Sequence, residues 1–166
     1  MLELNGQEAL SHFRLSQLTR VLQRADDRVA GLHARFVYLV DTSETLSAEH
    51  ADRLNALLLH GDEPGQLSPD ARHLYVVPRP GTISPWSSKA TDIVQRCGLD
   101  SVARVERACA YQVEGIDGST QSWRVLADLL GDPMVEEGFP DLDELTCLFE
   151  QSTPAVSIEV DVVGAG

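Results

Sequence analysis

Basic side chains are scarce in this chain of 166 residues: 13 lysines and arginines stand against 26 acidic groups, a formal charge of -13. Nucleic acid and anionic membrane surfaces both demand a basic footprint, so neither is expected as a partner. The acidity names no partner, because it is also a simple route to solubility. Cysteine is scarce too. Cys97, Cys109 and Cys147 are odd in number and their spacings fit no metal motif. Cys97 falls on the apolar side of a helical pattern and Cys109 alternates with apolar strand positions, so both read as buried, reduced thiols. No apolar run approaches the roughly 18 residues of a membrane span. Met1-Leu2-Glu3-Leu4-Asn5 lacks the charged and apolar regions of a signal peptide, and the expected location is cytoplasmic.

Recognisable chemistry is missing as well. There is no GxxxxGK[ST] loop, and Gln95-Arg96-Cys97-Gly98 is a helix end rather than a nucleophile elbow. His50, His60 and His73 have no i, i+4 ligand spacing. Asp141, Asp143 and Glu144 are explained by helix capping, in a capping box that opens a helix carrying Leu142, Leu145 and Phe149. No nucleophile, base and oxyanion set can be assembled, so no catalytic residue and no metal ligand is named.

What the chain does contain is an ordinary apolar fraction, 43%, enough for one domain with a core. Its most specific stretch is Pro78-Arg79-Pro80-Gly81-Thr82-Ile83-Ser84-Pro85-Trp86-Ser87-Ser88-Lys89-Ala90-Thr91-Asp92-Ile93, which follows the strand-like run Leu74-Tyr75-Val76-Val77. Pro80-Gly81 suits the centre of a type II turn. Ser84 reads as an N-cap and Pro85 as the first helical residue. Trp86, Ala90, Ile93, Val94 and Cys97 recur at helical spacing until Gly98 stops the helix. The hydroxyls of Thr82, Ser84, Ser87 and Ser88, with Lys89, crowd the helix start. Free N–H groups beside a cation suit an anion or a partner's carboxylate there.

Elsewhere, Met1 to Leu4 reads as a short strand ending at Asn5-Gly6. Leu10, Phe13, Leu18, Val21, Leu22 and Ala25 share one helical face. Ala34 to Val40 is a strand apolar on both sides, hence either central and covered on both faces, or covered by helices on one face and by a partner on the other. Ser47 caps a helix with Ala51, Leu54, Leu57 and Leu58 inward and Gly61 as its stop, before a surface loop at 62–66. Val102 to Val113 is a long strand whose apolar alternation is interrupted by Arg107. A charge at such a position is costly unless paired. It reads either as a strand-end ion pair with a carboxylate or as an anchor to a partner. Trp123, Leu126, Ala127 and Leu130 form a further helix, capped by Ser119 and stopped by Gly131-Asp132-Pro133. Met134 to Phe139 contains a short strand. Val156 to Val162 alternates as a half-buried strand with an acidic face, after the linker Gln151-Ser152-Thr153-Pro154.

The run PRPGTISPWSSKATDI resembles a signature near the N-terminus of the large, single-chain phosphoribosylformylglycinamidine synthase family, the glutamine- and ATP-dependent enzymes of purine biosynthesis. Arg104-Val105-Glu106-Arg107 resembles a second element of that family. The resemblance implies an α+β domain, residues 1-150, with an antiparallel sheet and helices mainly on one face, similar to a fused pair of the small separate subunit. Residues 151-166 would be a linker and the start of the next segment of a longer enzyme. The lack of a glycine-rich phosphate turn after the first strand argues against a doubly wound fold. The family's glutaminase cysteine, ATP and magnesium sites match nothing in this chain, so no cofactor is expected within it. The implied partners are the synthase and glutaminase domains of the same enzyme. Arg79, Thr82, Ser84, Trp86, Ser87, Ser88, Lys89 and Arg107 form the expected docking and coupling edge. The alternative is a free-standing protein-interaction module without catalytic activity.

Overall fold

The computed structural model describes residues 1–59, 73–116 and 120–150, with only the backbone of 120–123. The elements run β1 (Leu2–Glu8), α1 (His12–Ala25), β2 (Gly31–Thr42), α2 (Ala48–Leu59), β3 (His73–Pro78), α3 (Pro85–Arg96), β4 (Val102–Glu114), α4 (Thr120–Leu130), β5 (Glu136–Phe139) and a final 3-10 helix, Leu142–Phe149. The five strands form one sheet in the order β1-β2-β4-β3-β5, every neighbouring pair antiparallel. The fold is therefore α+β and not doubly wound.

The two faces of the sheet are covered unequally. On one, α1 and α4 pack over Leu32, Ala34, Tyr111 and Val113. Farther along the same face, α2 and α3 pack over Tyr38, Val40, Val102 and Val105. The other face carries Val37, Leu39, Ala108 and Ala110, closed over by Leu145 and Leu148 of the 3-10 helix. The central, doubly apolar reading of β2 holds: it lies between β1 and β4, with Val37 to Val40 all buried.

The chain is an internal duplication. β3, α3, β4 and α4 each begin about 72 residues after β1, α1, β2 and α2 respectively. Burial follows the repeat: Leu54 and Leu58 of α2 are buried, and so are Leu126 and Leu130 of α4. Ser11 caps α1 as Ser84 caps α3, each hydroxyl accepting the N–H three residues on. Val37 of β2 lies opposite its own counterpart, Ala108 of β4. Antiparallel pairing of equivalent residues is what a two-fold relation requires, so an approximate axis passes between the central strands.

Several sequence expectations are corrected. β1 continues through Asn5-Gly6 instead of turning there. Gly6 is buried where an added Cβ would stand 2.7 Å from the Tyr38 ring, so glycine here makes room for an aromatic. On α1, Phe13 and Val21 are exposed; Leu22, with Leu15 and Leu18, faces the core. Cys97 is exposed because it lies at the C-cap, beyond the last packed turn, and Cys109 is only partly buried. Asp141 precedes a 3-10 helix and makes no side-chain capping bond, so there is no capping box. Gly61, the 62–66 loop, Ser119 and Val156–Val162 lie outside the described residues, as does the Trp123 side chain.

Candidate functional site

The turn before α3 is built as its sequence predicts. Gly81 has φ of 82°, and the Thr82 N–H donates to the Arg79 carbonyl at 3.1 Å. Pro80 presets one central position of the turn and glycine accepts the other. Ser84 takes the N-cap with extended φ and ψ, and its hydroxyl accepts from the Ser87 N–H at 3.0 Å.

The hydroxyls that follow meet the protein's own backbone. β3 pairs with β4 only from His73 opposite Gln112 to Val76 opposite Cys109. Toward the start of β4 that edge has no strand beside it, and an unpaired ladder edge needs partners. α3 supplies them. Ser87 donates to the Val105 carbonyl at 2.6 Å, Thr91 accepts from the Val105 N–H at 2.9 Å, and the Gln95 amide donates to the Val102 carbonyl at 2.9 Å. Ser84, Ser87, Thr91 and Gln95 lie on one helical face, so α3 acts as a surrogate strand along the β4 edge.

A buried ion pair ties this arrangement together. Glu106 is fully buried, 2.6 Å from Arg104 and 3.1 Å from the Ser84 hydroxyl, which donates to it. Arg104 also donates to the carbonyls of Thr82 and Leu148, both at 2.8 Å, and lies over the Phe149 ring. One guanidinium thus holds the turn, the start of α3 and the end of the 3-10 helix on the opposite face. The family resemblance points to an acidic-basic pair opening this strand, but sequence reasoning did not foresee that Arg104 and Glu106 pair in the interior. The signal for that pairing was present in two opposite charges at i and i+2 of one strand, on the same face as Ala108 and Ala110.

The eight expected docking residues therefore separate. Arg79 donates to the Pro133 carbonyl at 2.7 Å, and the Thr82 hydroxyl to the Arg79 carbonyl at 2.6 Å. Ser84 and Ser87 are committed to the capping and edge contacts above. Ser88 and Lys89 are exposed, as is Ile83 at 62%. Trp86 and Arg107 meet on the helix-bearing face. Arg107 lies neither at a strand end nor against a carboxylate: it is in mid-β4, its guanidinium 4.2 Å from the Phe36 ring centre and 4.7 Å from that of Trp86. Trp86 stacks in turn on Tyr38, 5.7 Å between centres. Cation–π contacts on two sides hold the charge without an opposite charge. Among the described residues no carboxylate comes within ion-pair distance of Arg107 or Lys89.

These groups border a groove of about 470 Å³ between α2 and α3. Leu57 and Leu58 form one wall, Trp86, Lys89 and Ile93 the other, with Gln7, Tyr38 and Arg107 at the base. Lys89 is the sole lysine in the sequence.

Two of the thiols, Cys109 and Cys147, are shifted away from activation. Burial pushes the Cys109 thiol up to about 11, and burial is also the leading cause that raises Cys147. A nucleophilic cysteine needs the opposite shift. Among the described residues no group of three or more His, Cys, Asp and Glu side chains is placed to hold a metal ion. No helix described is long and apolar enough to cross a membrane. What the geometry offers is a rigid polar edge beside an open cationic and aromatic groove.

The profile of a protein family described as formylglycinamide ribonucleotide amidotransferase N-terminal matches residues 35–149, which include both halves of the central strand pair, the turn, α3 and the Arg104–Glu106 pair. The match covers more than half of the chain, and the chain belongs to that family of amidotransferase N-terminal domains.

Proposed function

We propose that this chain is the structural and coupling N-terminal domain of a phosphoribosylformylglycinamidine synthase, acting in de novo purine biosynthesis in the cytoplasm. In this reading the domain performs no bond chemistry. ATP, magnesium and the glutaminase cysteine act in synthase and glutaminase portions of the same enzyme, and α3 with its preceding turn docks against them. The observation that carries the reading is the division of labour on α3. One face is bonded to the β4 edge through Ser87, Thr91 and Gln95, while Ile83, Ser88 and Lys89 stand exposed on the same anchored segment. A pre-organised surface loses little entropy on docking.

The test uses the full-length enzyme with Lys89→Ala and, separately, Trp86→Ala, assayed with glutamine and with ammonia as nitrogen source. Coupling predicts that activity with glutamine falls more than activity with ammonia. Rates unchanged with both donors would remove the docking role. Because Trp86 also packs on Tyr38, its variant is read beside Trp86→Phe, which keeps an aromatic ring at the site.

A further inference from the structure

We infer that the groove between α2 and α3 receives a peptide segment in which carboxylates alternate with aliphatic side chains, presented by the surface that the domain docks against. The inference rests on the docking reading only for who supplies the segment.

The first support is a broken symmetry. Under the internal duplication, α2 and α3 correspond to α4 and α1. Among the described residues α1 and α4 touch directly, around Leu22, Leu126 and Leu130. The equivalent seam between α2 and α3 is open by about 470 Å³. The second support is charge. The chain has twice as many acidic as basic side chains, yet among the described residues no carboxylate lines this groove, while Arg107 and the only lysine in the sequence do. Neither cation has an ion-pair partner among the described residues. The third is an unmet acceptor. Gln7 Oε1, at the base, is buried with no hydrogen-bond partner among the described residues.

These features sit where an extended peptide would use them. The α2 wall is leucine and the α3 wall and base carry the cations. Successive side chains of an extended segment point to opposite sides, so one side can be aliphatic against Leu57 and the other acidic toward Lys89 and Arg107. Its backbone N–H would satisfy Gln7 once that side chain turns its buried oxygen toward the groove. Arg107, already held flat between two rings, gives up little freedom on meeting a carboxylate.

The unique lysine provides the assay. Reductive methylation with carbon-13 formaldehyde labels Lys89 and the N-terminus only, and leaves the charge in place. The whole chain is titrated with a capped peptide alternating glutamate and valine, and with its lysine-for-glutamate counterpart. The acidic peptide is expected to shift the Lys89 signal saturably, and the basic peptide to bind at least tenfold more weakly. Ile93→Glu, a change at a half-exposed position, is expected to weaken the acidic peptide at least tenfold, as is Arg107→Gln, with Arg107→Lys recovering part of it. Equal binding of the two peptides, or none of either, overturns the inference. A Glu159→Lys/Asp161→Lys chain that binds the acidic peptide tenfold more tightly would make the chain's own segment the occupant. A Lys89 signal that moves on dilution alone would make it a second copy. Either result overturns a partner's segment. Peptide binding that persists while the glutamine and ammonia assays stay unchanged would retain the groove and remove the coupling role.

Discussion

Glu106 is the residue whose removal tests the architecture most directly. Its carboxylate is fully buried, 2.6 Å from Arg104 Nη2, and accepts from the Ser84 hydroxyl. With an effective dielectric near 20, the attraction at that distance is about 6 kcal/mol before desolvation is subtracted. Deleting one member of a buried pair costs about 3–5 kcal/mol, because the remaining charge stays buried without its partner. Glu106→Leu should therefore lower unfolding stability by about 3–5 kcal/mol, measured by urea denaturation. The double variant Arg104→Met/Glu106→Leu leaves no charge stranded. It forfeits the two Arg104 bonds to the Thr82 and Leu148 carbonyls, about 1 kcal/mol each, so a loss of about 2 kcal/mol is expected. The double variant must then be more stable than the single one. A Glu106→Leu protein that loses less than about 1 kcal/mol, or a double variant no better than the single, would refute the claim that this pair binds the turn to both faces.

Three further outcomes are expected. Ser87→Ala leaves the Val105 carbonyl unmet in the buried seam between α3 and β4 and should cost about 1–3 kcal/mol, whereas exposed Ser88→Ala should stay within about 0.5 kcal/mol; equal costs would count against the surrogate-strand reading. A thiol reagent near pH 8 should modify exposed Cys97 in the native chain and reach Cys109, whose thiol is raised to about 11, only after unfolding. Burial lowers the pKa of His73, so its folded form binds protons less readily than its unfolded form. Its contribution to stability is complete above the ordinary histidine value and is lost as pH falls below about 6.5. Urea midpoints should therefore decline from pH 7 toward pH 5, and His73→Phe should flatten that decline.

Much of the local framework is legible in the sequence because it rests on local rules. Pro80-Gly81, the Ser84 cap, Pro85 and Gly98 each do what backbone sterics ask of them. The two-sided apolar pattern of β2 fits its place at the centre. The use of the α3 hydroxyls is not local. Nothing in Ser84, Ser87 and Thr91 says that β3 stops short and leaves an edge of β4 open, so the sequence shows hydroxyls at a helix start but not that this edge takes them up. Glu106 is obscured for a similar reason: the apolar alternation of β4 runs along the face of Val105 and Cys109, and the buried pair lies on the other. Phe13 and Val21 match a helical period but face outward, because the period specifies a stripe and only the neighbouring helix decides which edge of it is covered. The 3-10 winding of Leu142–Phe149 is not legible, since its apolar positions suit an ordinary helix equally well.

Arg107 and Phe36 are each other's counterparts across the axis between β2 and β4, and they touch. Two identical chains around such an axis would have to present the same residue twice. Arginine on both sides would set cation against cation, and phenylalanine on both would leave no charge at all. Joining the halves in one polypeptide frees them to differ, so a ring on one side can cradle a guanidinium on the other. The contact at the base of the groove is thus a product of covalent fusion: it needs two unequal halves and cannot be made by a pair of identical ones.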